Sequence, residues 1–101
     1  MGVVIEELHF LVTPDDRERF LEIEGAVWTG FLRSCDGFVG KETWIPDDDP
    51  GLVVVMIWWE TMAQWKSITE AQCEAVDAQM GEWLRPIAFA RAHHVARTAN
   101  R

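Results

Sequence analysis

The sequence predicts an α+β domain with the element order βαββαβ. This is the ferredoxin-like arrangement, in which two helices cover one face of a four-stranded antiparallel sheet. Two observations favour it: apolar, β-branched segments alternate with helical segments in this order, and the third strand, "LVVVMIWW" at 52–59, is apolar on both of its alternating faces. A length of 101 residues predicts a single domain over residues 1–101, with a modest core.

The first half of the chain predicts a strand followed by a long helix. Residues 3–12, "VVIEELHFLV", are rich in β-branched and apolar side chains and indicate the first strand. Thr13 can cap the helix that follows, and Pro14 suits its first position. The two aspartates after Pro14 place negative charge at the positive end of the helix dipole. We expect the helix to run to about Ser34, before the "DG" turn at Gly37.

A hairpin and two further helices follow. Residues 38–45, "FVGKETWI", predict the second strand, and the polar turn "PDDDPG" separates it from the third. Thr61 and Thr69 each begin a capping-box pattern, "TMAQ" and "TEAQ", so a short helix should precede a longer one. The longer helix carries an inward stripe that includes Cys73, Val76, Met80 and Trp83. Pro86 ends it, and residues 87–97 predict the fourth strand.

The two apolar faces of the third strand predict an assembly. Helices cover one face only, so the second face, with Val53, Val55, Ile57 and Trp59, would stay exposed in a lone chain. Burying each such side chain is worth about 1.5 to 3 kcal/mol, so exposure of four would forgo roughly 6 to 12 kcal/mol, against a net stability of about 5 to 15 kcal/mol. We therefore expect a symmetric homodimer in which two sheets face each other across a shared cavity or packed core.

Charge and composition restrict the partners. The net charge is −8, and residues 85–101 carry four arginines and no acid. This acidic surface argues against nucleic acid. The longest apolar run, eight residues, is too short to span a membrane. Glu6 and Glu7 stand where a signal peptide needs a basic start, which favours a cytoplasmic location. Cys35 and Cys73 fit neither a metal motif nor a disulfide framework and are expected to be reduced thiols.

Six tryptophans and no tyrosine are the most unusual feature of the composition. Core and interface packing explains most tryptophans in proteins. We expect Trp28, Trp44 and Trp59 to lie nearest the cavity, where flat aromatic walls suit a planar ligand. Trp65 and Trp83 lie on helix stripes and are expected to be structural.

The histidines are candidates for acid-base chemistry. His9, His93 and His94 fall on the first and fourth strands, which pair in this fold. Adjacent strand residues point to opposite faces, so at most one of His93 and His94 faces inward. His9 and His93 are the catalytic candidates, and histidines at the rim of the cavity are the alternative. The spacing matches no metal motif, so neither a metal nor a cofactor is expected.

Two carboxylates fall on positions of interest. Glu6 shares a strand face with apolar residues, so it needs a raised pKa or a basic partner such as Arg91 or Arg97. Glu42 shares a face with Trp44 and could anchor a ligand in an apolar pocket.

Several segments, "VIEELHF", "WTGFL", "GFVGKETWI" and "WWETMAQWKSI", resemble a small, largely cyanobacterial family within the antibiotic-biosynthesis-monooxygenase-like superfamily. The resemblance runs from Val4 to about Val95, and its most specific parts are Gly37 to Trp44 and Trp59 to Trp65. It implies a dimeric α/β barrel.

The resemblance implies several functions. The superfamily includes cofactor-free oxygenases of polyketide-like aromatics, haem-degrading enzymes, and members without known activity. In the haem-degrading branch a Trp at the position of Trp59 is catalytic, but the Asn and His that accompany it are missing here. We therefore expect a cofactor-independent, monooxygenase-like enzyme acting on a small apolar or aromatic molecule, which His9 or His93 deprotonates against Trp59 and Trp44. The alternative is a noncatalytic ligand-binding or regulatory dimer, and haem binding ranks third.

Overall fold

A computed structural model describes residues 2–96 of the chain. The strands are β1 (Gly2–Leu11), β2 (Phe38–Trp44), β3 (Leu52–Trp59) and β4 (Ile87–Ala96). The α-helices are α1 (Pro14–Glu24), α2 (Gly30–Leu32), α3 (Met62–Lys66) and α4 (Glu70–Ala78), with a π-helical turn at Gly25–Thr29 and a 3₁₀ turn at Gly81–Trp83. The predicted end of the fourth strand at Arg97 lies outside the described residues.

The four strands form one antiparallel sheet in the order β2-β3-β1-β4. The predicted βαββαβ, ferredoxin-like α+β architecture is therefore confirmed. In the central pair, Val4 lies opposite Trp59 and Glu6 opposite Ile57. In the outer pair, Glu6 lies opposite Ala92. This register decides which side chains share each face of the sheet.

The first helical region is continuous from Pro14 to Leu32 but changes its winding at the π-helical turn. Pro14 occupies the first turn as predicted, whereas the Thr13 side chain makes no capping hydrogen bond. The helix ends two residues before the predicted Ser34, and Gly37 adopts a φ of +84° in the turn that follows. A side chain is strained at this φ, which explains a glycine at this position.

The second helical region follows the predicted caps closely. The Thr61 side chain accepts a hydrogen bond from the backbone N–H of Gln64, and Thr69 forms a complete capping box with Gln72. The helix α4 ends at Ala78, earlier than expected, so Trp83 lies on the separate 3₁₀ turn. Gly81, with a φ of +59°, allows the chain to turn between them.

The core lies between the helices and one face of the sheet, which we call the helix face. From β3 it receives Val53, Val55, Ile57 and Trp59. The helices contribute Phe20 and Leu32 from the first region and Met80 from the second. One of the two apolar faces of β3 is thus explained by ordinary core packing.

The opposite side of the sheet, the outer face, carries no helix. Val54 and Met56 are nevertheless buried, with exposed fractions of 6% and 7%. Trp44 and His9 lie opposite Val54 on the two neighbouring strands. Glu42 and Glu7 lie opposite Met56 in the same way, so the neighbouring strands cover both residues. The expectation that Val53, Val55, Ile57 and Trp59 form the exposed face of β3 is wrong, because these four residues pack in the core against the helices.

Apolar exposure on the outer face instead lies toward its margins. Leu11, Trp44 and Phe89 are 66%, 46% and 45% exposed, respectively. They belong to three different strands, so the exposed apolar surface borders β3 rather than lying on it.

Within residues 2–96, no helix combines the length and apolar character needed to cross a membrane.

Candidate ligand-binding site

A cavity of about 790 Å³ lies between the helix face and the helices. Its lining is mainly apolar and aromatic and comes from both the sheet and the helices. Leu8, Phe10 and Ile57 belong to the sheet side, and Phe20 and Met80 to the helical side. A volume of this size is in the range of small-molecule sites, roughly 300 to 1,000 Å³. The cavity is therefore formed within one chain.

Three tryptophans line the cavity: Trp28 from the π-helical turn, Trp59 from the end of β3 and Trp65 from α3. The Trp28 ring packs edge-on against Phe31 at 5.8 Å, and the Trp59 ring packs edge-on against Phe38 at 6.0 Å. Such contacts restrain the rings. The cavity thus has flat aromatic surfaces supplied by three separate elements.

Glu6 is the carboxyl that β1 directs toward the cavity. The Nε1–H of Trp59 donates a hydrogen bond to its Oε1 across 3.3 Å. Burial raises the pKa of Glu6, and the Trp59 hydrogen bond and the charge of Lys66 oppose that rise. Arg91 was one expected partner of Glu6, and this expectation is wrong because Arg91 lies on the outer face. The other expected partner, Arg97, falls outside the described residues.

A second carboxyl reaches the cavity from the helices. Asp77 on α4 accepts a hydrogen bond from Nε1–H of Trp28, with a nitrogen-to-oxygen distance of 3.1 Å. Burial raises the pKa of Asp77, and the hydrogen bond from Trp28 opposes the rise. In the described part of the chain, this is the single side-chain hydrogen bond that connects α4 to the first helical region.

An ion pair fixes the π-helical turn that carries Trp28. Lys41 on β2 donates to both carboxylate oxygens of Glu24, and its distance to Oε2 is 2.6 Å. Lys41 also donates to Oγ1 of Thr29 across 2.9 Å. The side chains of Lys41 and Glu24 are each only 7% exposed. The pair therefore joins both ends of the turn to the sheet, and π-helical turns of this kind often mark functional sites.

Cys73 also lines the cavity. Burial raises the pKa of its thiol, and the charges of Asp77 and Glu6 raise it further. Since the thiolate is the nucleophilic form, a thiol held protonated is a poor nucleophile. Cys73 therefore contributes a small, weakly polar surface to the cavity.

The predicted site residues separate onto the two faces of the sheet. Trp28 and Trp59 line the cavity, as expected of their positions, although their part in binding stays a prediction. His9, His93, Glu42 and Trp44 do not line it.

The register explains why these four residues lie elsewhere. Glu42 and Trp44 pair with Met56 and Val54, whose side chains are on the outer face, and His9 also pairs with Val54. His93 pairs with Ile5 on the same face. The expectation that all six candidates surround one cavity is therefore wrong, because the strand alternation directs these four away from the helices and from Trp28 and Trp59.

On the outer face the histidines form a different cluster. The Glu7 carboxylate accepts from Nε2–H of His93 across 2.7 Å and from Nε2–H of His9 across 2.5 Å. These hydrogen bonds, that of His93 first, lower the pKa of Glu7. His94 pairs with Val4 on the helix face but does not line the cavity. No cluster suited to a metal ion occurs among residues 2–96.

Sequence reasoning missed the second carboxyl and one aromatic wall. Asp77 follows Cys73 by four residues, which places it on the predicted inward stripe, so the helical spacing held the signal. Trp65 was expected to be structural, but it lines the cavity beside Lys66, whose Nζ lies 4.2 Å from the Trp65 ring centroid.

Comparisons with known proteins agree with this architecture. No protein family profile matches the chain, and no curated protein matches it. Solved structures do match. A proposed antibiotic biosynthesis monooxygenase of Bordetella bronchiseptica aligns with a TM-score of 0.69 at 18% identity, covering 98% of this chain and 100% of that one. The chain has the antibiotic biosynthesis monooxygenase fold. The resemblance noted in the sequence is thereby confirmed at the level of the fold.

Two further structures with this fold are similar to the chain. A monooxygenase from the gene ActVA-Orf6 of Streptomyces coelicolor, in complex with the ligand nanaomycin D, aligns with a TM-score of 0.70 at 13% identity. The match covers 97% of this chain and 89% of that one. Rv0793 from Mycobacterium tuberculosis aligns with a TM-score of 0.60 at 21% identity, covering 99% and 98%. At these identities the likeness establishes the fold alone.

Proposed function

We propose that the protein is a cofactor-independent, monooxygenase-like enzyme that oxygenates a small aromatic molecule inside the cavity of each chain. The observation that carries the proposal is the pairing of Glu6 with Trp59 at the wall of an apolar, aromatic chamber. A neighbour with the same fold is a monooxygenase in complex with nanaomycin D, which supports a small-molecule ligand for this fold.

Glu6 replaces the histidines as the proposed base. A carboxylate whose pKa is raised by burial accepts a proton more readily than an exposed one, and it lies where a ligand can reach it. His9 and His93 lie across the sheet from the cavity and are assigned no contact with the substrate.

The proposed reaction balances with dioxygen as the only oxidant. For anthrone as a probe, Glu6 removes a proton from the CH₂ carbon, and the resulting carbanion adds O₂ to form a peroxide. Protonation of the peroxide and loss of one water leave a carbonyl, so anthrone and O₂ become anthraquinone and H₂O. Trp28 and Trp59 hold the planar rings, and the apolar lining limits the access of water to the carbanion.

Oxygen consumption with anthrone tests this proposal. The wild-type protein should consume one O₂ for each anthraquinone formed, and Glu6→Gln should reduce the rate by about 10² to 10⁴. His9→Ala and His93→Ala should retain most of the rate. Oxygen consumption no faster than the uncatalysed rate at any protein concentration would contradict the proposed enzymatic activity. If only the histidine variants lose activity, the catalytic base is a histidine on the outer face rather than Glu6.

A noncatalytic binding module is the second candidate. It is favoured by the absence of histidine from the cavity lining within residues 2–96. Binding of anthrone without oxygen consumption would support it. Haem binding ranks below both, because the polar groups of this lining include carboxyls but no imidazole.

For the assembly, we propose a homodimer in which the outer faces of two sheets meet. Exposed Leu11, Trp44 and Phe89 give each face apolar surface for a partner. The indole N–H of Trp58 is buried and has no hydrogen-bond partner in the described part of the chain. Because such groups are rarely left unpaired, an acceptor from a second copy would satisfy it. The cytoplasmic location and the lack of a nucleic-acid partner stay predictions from the charges, and the lack of a membrane partner stays a prediction from the short apolar runs.

A further inference from the structure

Two of the four carboxyls that line the cavity are each bound by one indole. Nε1–H of Trp59 engages Oε1 of Glu6, and Nε1–H of Trp28 engages Oδ1 of Asp77. No hydrogen bond or ion pair from residues 2–96 engages the second oxygen of either carboxyl. Because both residues line the cavity, a ligand can reach these two oxygens.

The two acceptors lie on different walls of the same chamber. Glu6 belongs to β1 on the sheet side, and Asp77 belongs to α4 on the helical side. Cys73 lies within electrostatic reach of both carboxyls, since the charge of each raises the pKa of its thiol. A molecule lying along the Trp28 and Trp59 rings would therefore have one acceptor on the sheet side and another on the helical side.

The other charged groups of the lining are engaged elsewhere or exposed. Glu24 is neutralised by Lys41, Lys66 lies over the Trp65 ring, and Arg85 contacts Asp16 at 3.5 Å. A carboxylate on a ligand would thus face Glu6, where the charge of Lys66 acts, at one end and Asp77, on which no cation of residues 2–96 acts, at the other. Such a contact is repulsive and desolvated.

We infer that Asp77 is a specificity-determining residue, a second recognition point that selects planar aromatic molecules with a hydrogen-bond donor at each end and rejects those with a carboxylate there. This inference rests on the proposed aromatic cavity and specifies the class of molecule it takes. Glu6 receives the donor at the sheet, and Asp77 receives the donor at α4.

Equilibrium binding without oxygen separates recognition from turnover. The probes are a naphthalenediol with hydroxyls at opposite ends of the rings, naphthol, dimethoxynaphthalene and naphthalene dicarboxylate, titrated calorimetrically. The diol should bind about tenfold more tightly than naphthol, the equivalent of one well-formed hydrogen bond. Dimethoxynaphthalene and the dicarboxylate should bind more weakly than naphthol.

The Asp77→Asn variant distinguishes recognition from a structural role. Its amide oxygen can still accept from Trp28, while its NH₂ group turns the free acceptor into a donor. The preference for the diol over dimethoxynaphthalene should therefore fall by about tenfold. Glu74→Gln, an exposed residue on the same helix, is the matched charge control and should leave the ranking unchanged.

Each outcome bears on a separate claim. Equal affinities for the diol and naphthol, or an Asp77→Asn ranking equal to that of the wild type, would overturn the role of Asp77 while leaving the aromatic cavity intact. If no naphthalene derivative binds at all, both the inference and the proposed function fail. If the ranking is as expected but no anthrone is oxygenated, the recognition stands and the enzyme does not.

Discussion

The Nε1–H of Trp59 donates to Oε1 of Glu6 across 3.3 Å, joining the end of β3 to the middle of β1 at the wall of the cavity. The adjacent residue, Glu7, points the opposite way and is held by two histidines on the outer face. Two consecutive glutamates therefore have opposite environments, and their pKa values are shifted in opposite directions. Replacing each glutamate by glutamine should therefore change the stability in opposite directions.

Glu6→Gln should stabilise the protein at neutral pH. Because burial raises the pKa of Glu6, the folded chain binds its proton more readily than the unfolded chain. This protonation contributes stability that is fully present below the pKa of Glu6 in the unfolded chain. The contribution is lost as the pH rises through the pKa of Glu6 in the folded chain. Gln keeps the neutral form at every pH, so the Tm of the variant should exceed that of the wild type above this range and match it in acid. A Tm lower than that of the wild type at neutral pH would contradict the claim that burial destabilises the ionised carboxylate of Glu6.

Glu7→Gln should have the opposite effect. Hydrogen bonds from His93 and His9 lower the pKa of Glu7, so its ionised form stabilises the fold above the unfolded pKa, and this stability is lost as the pH falls through the folded pKa. The Tm of the variant should lie below that of the wild type at neutral pH, with the gap closing in acid. Exposed Glu22→Gln is the control. A constant gap across the pH range would mean that the carboxylate charge is not responsible.

Lys41→Met should destabilise the protein by about 3 to 5 kcal/mol, because it leaves the Glu24 carboxylate buried and unpaired. Denaturant unfolding measures the change. The double variant Lys41→Met, Glu24→Leu should recover most of the loss, since it removes the uncompensated charge.

An exposed pair on the same helical region is the control for this experiment. Arg19 and Glu22 form an ion pair at 2.8 Å with both side chains largely in solvent. Arg19→Met should cost about 1 kcal/mol or less. If Lys41→Met costs no more than Arg19→Met, the buried ion pair does not hold the π-helical turn to the sheet.

The outer face can be tested as the dimer interface. Trp44→Lys combined with Phe89→Lys places two cations on the exposed apolar margins of this face. Analytical ultracentrifugation at micromolar concentration should show the mass of two chains for the wild type and of one chain for the double variant. Glu74→Lys, on α4, should remain a dimer. A wild-type mass of one chain, or a double variant that stays dimeric, would remove the outer face from the assembly.

The sequence predicted the fold well because each element had a local signal. The capping pattern at Thr69, the proline at position 14 and the β-branched, apolar run of β1 are all signals from neighbouring residues, and the elements that they predict are present in the structure. The boundary errors fall where a helix changes its winding or ends early, at residues 25–29 and 78–83. Such changes depend on contacts from elsewhere in the chain, including those of Lys41 with Glu24 and Thr29.

The candidate site was only partly predictable because β3 is apolar on both faces. Alternation separates Trp58 from Trp59, but it does not say which of the two meets the helices. The cavity was therefore expected with Trp59 on the face without helices, which is the wrong face, and His9 and His93 were expected beside Trp59 although they lie across the sheet. The contact between Trp28 and Asp77 joins residues 49 positions apart, and only the packing of α4 brings them together.

The indole N–H signals of the tryptophans, read by ¹H–¹⁵N NMR during titration with naphthol, test the central claim most directly. That claim places the ligand on the helix face, so the signals of Trp28 and Trp59 should shift and saturate together, while those of Trp44 and Trp58 stay in place. Shifts of Trp44 and Trp58, with Trp28 and Trp59 unmoved, would place the ligand on the outer face and contradict the account.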